Sequence, residues 1–213
     1  MNAEIVNAIA LSMMFFNKAD RLKQVYERVG SASAIIDAAD HLDDIINDLN
    51  VKAFSIDKEE LKLHLEHAHK EAEYLETHQM KCLTMDSPLY PARLKEVCPD
   101  APLALFYCGN ANLNSPHTLS IVGTRHSTEY GRDMTEKLCE ELAALYPDLL
   151  VVSGLAYGTD INAHRAALSN GLNTVGVLAH GLDRIYPSVH RNTAAKMFHQ
   201  GGLITEFPIG TTP

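Results

Sequence analysis

Residues 118–146, TLSIVGTRHSTEYGRDMTEKLCEELAALY, decide how the rest of the chain is read. The apolar run TLSIV stops at Gly123, Thr124, Arg125 and Ser127 follow at once, and helical spacing begins only at Gly131. An apolar strand, a polar turn bounded by glycines and an amphipathic helix form the repeating unit of a parallel α/β sheet. Groups suited to holding an anion stand where the strand ends.

The same unit recurs downstream. DLLVV reads as a strand, DINAHRAALSNG as a helix, NTVGVLA as a strand, RNTAAKMFHQGG as a helix and LITE as a strand. Nearly all-apolar strands joined by helix-length crossovers predict a Rossmann-like, doubly wound, largely parallel α/β sheet covered on both faces. We assign it to residues 81–213. In such sheets ligands lie outside the C-terminal strand ends, where helix N-termini present free N–H groups.

Upstream the texture changes. IVNAIALSMMFF, RLKQVYERV, SASAIIDAADHL and EELKLHLEHAHKEAEYLETH carry helical apolar spacing, which predicts a small helical domain over residues 1–80. In the connector, Pro88, Pro91, Pro99 and Pro102 break any long helix, and PLALFYCG reads as a short buried strand. His64, His67 and His69 suggest a metal site at first sight. Their helix also carries Glu66, Glu71 and Glu73, so a solvated polar face is the expected reading and no metal is expected.

Composition narrows the function classes. The chain has 213 residues, 46% of them hydrophobic, enough to bury a real core. It contains no apolar run of the roughly 18 residues a spanning helix needs and no basic leader, so a soluble cytoplasmic protein without a membrane partner is expected. The four cysteines lack metal-type spacing or close pairing and read as reduced thiols. The net charge of −9 disfavours a protein coated in nucleic acid. The acidity is uneven, however: residues 1–80 hold 8 Lys and Arg against 15 Asp and Glu, and residues 81–213 hold 10 against 12. A local anion site in the second part remains compatible with this balance.

Four strand ends carry similar punctuation: GTRHSTEYG, SGLAYGTD, HGLDRIYP and EFPIGTTP. Gly123, Gly154, Gly158 and Gly181 would let backbone approach a ligand, while Arg125, Ser127 and Ser153 offer donors suited to phosphate oxygens. Any one such loop can be Gly-rich merely to turn; four on one edge argue for binding.

IVGTRHSTEYG, VVSGLAYGTDINAHRAAL, GVLAHGLDRIYP and GGLITEFPIGTTP resemble the successive signatures of the DprA (Smf) DNA-processing family. The segment LTMDSPLYPARLKEVCPDAPLALFYCGN resembles that family's lead-in, so the resemblance runs from about residue 80 to the end. The N-terminal region resembles the family's SAM-like or helix-hairpin-helix extension more loosely, and its break NKADR lacks the usual turn glycines. The resemblance implies single-stranded DNA binding by an extended Rossmann fold, delivery of the strand to the RecA recombinase, and a role in natural transformation and competence. Self-association as a homodimer is expected, and no cofactor. The implied DNA-binding positions are Gly123-Thr124-Arg125 and Ser127, with Arg125 the phosphate ligand. Ser153, Gly154, Ala156, Gly158 and Gly181 follow, with His190, Arg191 and Asn192 as candidates after Tyr186-Pro187. Thr159 replaces the family's usual Ile, and Asp160 is taken as a helix N-cap. The chain stops at GTTP, before an Arg-Asn-Arg segment and a winged-helix-like domain found in many members. A fragment, or a part of a longer protein, is therefore expected.

No catalytic residue is assigned. Ser153, Asp160 and His164 could be imagined as a hydrolase constellation, but VVSGLA lacks the G-x-S-x-G elbow. GTRHSTEYG is not a G-x-G-x-x-G dinucleotide loop. A nucleotide-binding or nucleotide-processing Rossmann enzyme of the phosphoribohydrolase kind is the alternative, although Gly201-Gly202 leads into LITEF without that family's Pro-Gly-Gly-x-Gly-Thr pattern. For Arg125 the competing role is an internal ion pair with Asp160 or Glu206.

Overall fold

The computed structural model describes residues 2–47, 49 and 54–213. The chain forms two compact units, residues 1–105 and 106–213. The sheet has six strands in the order β1-β2-β6-β5-β4-β3: β1 Lys81–Thr84, β2 Ala104–Gly109, β3 Thr118–Ser120, β4 Leu150–Ser153, β5 Asn173–Val177 and β6 Gly201–Thr205. β3, β4, β5 and β6 run parallel, and β2 pairs antiparallel with β6. The fold is thus mixed α/β with a largely parallel sheet and a helical N-terminal part.

The first unit is built from α1 (Ala3–Met14), α2 (Ala19–Val29), α3 (Ala32–Asp37), α4 (Leu42–Ile46), α5 (Lys58–Thr77) and α6 (Ala92–Val97). Its caps follow from local sequence. Asn2, Ser31 and Asp57 accept from the first-turn amides of α1, α3 and α5, and Gly30 ends α2 at a φ of 98° that residues with a Cβ disfavour. The break NKADR covers the last two residues of a 3-10 turn, Phe16–Lys18, and the first three residues of α2. SASAIIDAADHL divides into α3 and α4 instead of forming one helix. Glu4 fixes α3 to α1 by accepting from Ala32 N (2.6 Å), Ser33 N (2.9 Å) and Ser33 Oγ (2.6 Å). Val6, Ile9, Leu11, Leu22, Val25, Ile35 and Phe54 form the buried apolar interior. Lys23 is buried there because its ammonium donates to the carbonyls of Lys95 (2.5 Å) and Cys98 (2.8 Å), at the C-terminal end of α6. That placement satisfies orphan carbonyls and suits the negative end of the helix. β1 and α6 lie in the connector, where the sequence reading anticipated proline breaks and a single strand, PLALFYCG, which is β2.

In the second unit, α7 (Glu129–Leu145), α8 (Thr159–Ser169) and α9 (Arg191–Met197) are the three crossovers. The strands advance in one direction, β3 to β4 to β5 to β6, so right-handed crossovers set these helices in a row, with α8 between α7 and α9. Cys139, Leu149, Val151, Ala163, Ala166, Ala167 and Leu172 pack beneath them. β3 is shorter than TLSIV: it ends at Ser120, although Ile121 N still donates to Val152 O (3.0 Å). α7 starts at Glu129, before the Gly131 expected from spacing, because Thr128 Oγ1 accepts from Gly131 N (3.1 Å) and caps the helix. β6 begins at Gly201, two residues before LITE, and the preceding helix stops at Met197. A Cβ on Gly202 would stand 2.6 Å from the Tyr107 ring on β2, so the glycine pair lets the two strands close together.

Candidate functional site

Parallel strands deliver all four loops to one edge, and hydrogen bonds tie each loop to the next. The loop after β3 is held by α8: Thr159 N and Thr159 Oγ1 both donate to Thr124 O, at 3.0 and 3.3 Å. Thr124 Oγ1 in turn accepts from His126 N (3.1 Å), closing a tight turn around Arg125. The loop after β4 is linked to the segment after β5 by the buried His190, whose Nδ1 lies 2.8 Å from Leu155 O. The loop after β5 meets the chain beyond β6: Gly181 N donates to Thr211 O (3.3 Å) and Gly210 N to Asp183 Oδ1 (3.1 Å). Burial pushes the Asp183 carboxyl up, but hydrogen bonds from Arg184 and Gly210 N–H, with the Arg184 charge, hold it below its ordinary value.

The glycines serve this mutual packing. Gly158 has φ 78°, and a Cβ there would lie 2.1 Å from Thr124 O. A Cβ on Gly123 would lie 2.6 Å from Thr159 Oγ1. Gly154 passes close to Asp160, and Gly181 close to Pro208 and Asp183. Gly123, Gly158 and Gly181 thus let one strand-end loop pack against the next.

The polar candidates separate into spent and unspent groups. Ser153 is buried and its hydroxyl donates to Ile121 O (2.6 Å), joining the ends of β4 and β3. His190 is committed to Leu155 and meets Tyr157 edge-on at 5.2 Å. Ser127 Oγ accepts from Asn162 Nδ2 (2.8 Å), which leaves its own O–H to donate outward. Arg125, Arg191 and Asn192 are exposed, and Arg125 has no ion-pair partner among the described residues; the pairings with Asp160 or Glu206 are not formed. Asp160 is not the N-cap of α8. Gly158 occupies that position, and the Asp160 carboxylate reaches back to accept from Ala156 N (3.3 Å), fixing the SGLAYG turn. Among the described residues Ser153, Asp160 and His164 share no hydrogen bond, each being tied elsewhere.

Two features lay beyond the sequence reading. Asn162 sits one turn into α8 and orients Ser127, a contact across 35 positions that no local pattern announces. Tyr157 and Tyr186 expose about half of their surface in two of these loops, leaving ring faces open at this edge.

Residues 81–213 match the family model of DNA recombination-mediator protein A. The protein Smf of Synechocystis is 36% identical over 148 residues, covering 66% of this chain and 36% of that protein. The DNA processing protein DprA of Streptococcus pneumoniae is 36% identical over 124 residues, covering 58% of this chain and 43% of that protein. The crystal structure of the S. pneumoniae protein superposes with a TM-score of 0.65 at 25% identity, over 96% of this chain and 69% of that one. DNA processing protein A of Helicobacter pylori, whose single-stranded DNA binding mode has been described, superposes at 0.53 and 28% identity, over 63% and 59%. The chain spans between about a third and under half of the length of these two curated relatives. With the matched segment, residues 81–213, covering more than half of its residues, the chain belongs to the DNA recombination-mediator protein A (DprA/Smf) family.

Proposed function

We propose that the protein binds single-stranded DNA at the strand-end loops, by the phosphate backbone, without chemical turnover. The observation that carries this reading is the state of Arg125. Its turn is held on two sides by Thr124 hydrogen bonds and packed against Gly158, yet its guanidinium is exposed and unpaired. A cation carried on a braced turn, with no partner among the described residues, is available to a phosphate, onto which arginine can fork two N–H groups. Ser127 adds a hydroxyl donor beside it, and Arg191 and Asn192 offer further donors on the segment after β5. The exposed rings of Tyr157 and Tyr186 suit stacking of unpaired bases, which a duplex does not offer. Among the described residues no hydrogen bond at this edge joins a nucleophile to a base, and Gly201-Gly202 is buried at the start of β6. Family membership supports delivery of the strand to the RecA recombinase in the cytoplasm during natural transformation, with the protein acting as a homodimer. Among the described residues no helix is long and apolar enough to cross a membrane.

The test is a salt titration of oligo(dT) binding followed by fluorescence anisotropy. Each phosphate contact contributes about −0.7 to the slope of log affinity against log salt for single strands, so Arg125→Ala should weaken binding and flatten the slope by about that amount. Lys58→Ala, which removes an exposed partner of Asp40 in the helical unit, should leave both unchanged. Wild-type affinity and slope in a folded Arg125→Ala variant would remove the DNA reading of this edge.

A further inference from the structure

A second concavity lies in the same unit, at the end away from the strand-end loops. The C-terminal half of α8, one side of α9 and the turn entering β6 line an open cleft of about 590 Å³. Arg165 and Ser169 line it from α8, Thr193 and Lys196 from α9, and His199 and Gln200 from the turn. Gln200 fixes its floor by donating to Leu168 O (3.1 Å) and Leu172 O (2.9 Å), so the two helices are tied where they flank the cleft. Asn173 and Gly201, the first residues of β5 and β6, adjoin this end, whereas Arg125 follows the end of β3.

The charges there are unbalanced. Arg165, Lys196 and His199 are exposed, and among the described residues none forms an ion pair. The Glu136 carboxylate accepts from Ser169 Oγ (2.7 Å) and Asn170 Nδ2 (3.2 Å) on the α8 side of the cleft. Lys196 stands in the last turn of α9, where the helix C-terminus gives it modest support. That accounts for one cation. It does not account for three converging from two helices and a turn onto one cleft, in a unit that holds more acidic than basic residues.

We propose that this cleft is a second anion site that takes a phosphate group, with Arg165 and Lys196 as its principal ligands, His199 at its rim and the Thr193 hydroxyl as a donor. Its volume admits one nucleotide unit, so the phosphate comes either from a free phosphate or mononucleotide or from a nucleic-acid backbone. The site shares no residue with the strand-end edge, so it stands or falls separately from the reading of Arg125.

The His199 imidazole is a reporter inside the cleft. Its Cε1–H resonance is followed by NMR in the full chain at pH 7 as inorganic phosphate, dTMP or oligo(dT) is added, for the wild type, Arg125→Ala and Arg165→Gln/Lys196→Gln. We expect a saturable shift in the wild type and in Arg125→Ala, weakened about tenfold or more in the double variant. A response to inorganic phosphate and dTMP assigns a small-anion site; a response to oligo(dT) alone assigns a backbone contact; both support the proposal. No shift with any of the three probes, or an equal shift in the double variant, overturns it. Should the double variant fail to fold, the separate Arg165→Gln and Lys196→Gln variants are read in the same way.

Discussion

His164 shows how a side chain that looks chemical becomes structural. It is wholly buried on α8, and its Nδ1 lies 2.7 Å from Thr174 Oγ1. Thr174 donates its own hydroxyl hydrogen to Val151 O (2.9 Å), so its oxygen must accept, and the proton on His164 sits on Nδ1. Nε2 is then a bare lone pair facing Gly176 in an apolar setting, and its lack of a partner leaves no donor unsatisfied. Burial, and secondarily the charge of His190, hold the imidazole down to about 3. The unfolded chain takes up a proton near the ordinary 6.5 while the native state refuses it. This stability is therefore fully present above about pH 6.5 and withdrawn as pH falls toward 3, at up to ~1.4 kcal/mol per pH unit. In His164→Leu that component should vanish. Denaturant unfolding between pH 6.5 and 5 should show a shallower loss of stability in the variant than in the wild type; equal slopes would show that His164 is not held neutral. The sequence displayed Ser153, Asp160 and His164 at suggestive spacing, but their partners are 32, 4 and 10 positions away, on a neighbouring strand end, the same loop and the following strand, and spacing does not encode that.

The elements themselves were largely legible, because burial imposes its period on the chain: all four parallel strands and their three crossovers were read from apolar patterning. What patterning left open is which stripe of a helix finds a partner. α7 buries small groups, Cys139 with Ala143 and Leu142 beside it, against the core that includes Val151 and Ala163. Its longer apolar side chains face outward at helical spacing: Tyr130 is 73% exposed, Met134 46%, Leu138 42% and Leu145 69%. The edge strand β3 adjoins a further exposed apolar residue, Val122. Because this row supports nothing within its unit, Leu138→Glu with Leu145→Lys should change the unfolding free energy by no more than about 0.5 kcal/mol per site. The same change should lower the binding of a hydrophobic dye such as ANS. A loss of several kcal/mol in thermal or denaturant melts would show that the row is packed in solution. The loop glycines are the converse case. Each was visible as a turn, but the reason for Gly158, a carbonyl at Thr124 on another loop, appears only once two distant segments meet.

At the scale of the whole molecule the informative quantity is charge, and it opposes the proposed ligand. The chain carries −9, with residues 1–80 contributing 8 basic against 15 acidic side chains, and a net-negative field slows and weakens association with a polyanion. Binding at the strand-end edge must then arise from locally placed cations such as Arg125 working against the global field. The two scales separate by screening, since the Debye length is about 30 Å at 0.01 M salt and about 8 Å at 0.15 M. Glu59, Glu66 and Glu73 are exposed on α5 and serve no described hydrogen bond, so converting all three to Gln removes charge without disturbing packing. If the helical region acts on DNA only through its field, the triple variant should bind oligo(dT) about twofold to fivefold more tightly near 0.01 M salt and within about 1.5-fold of wild type at 0.15 M. Equal affinities at both salts would mean that the acidity of the first 80 residues does not reach the bound strand at all. Weaker binding at either salt, in a variant whose helical content and melting temperature are unchanged, would instead make the face of α5 part of the DNA contact and rule out a purely long-range electrostatic effect.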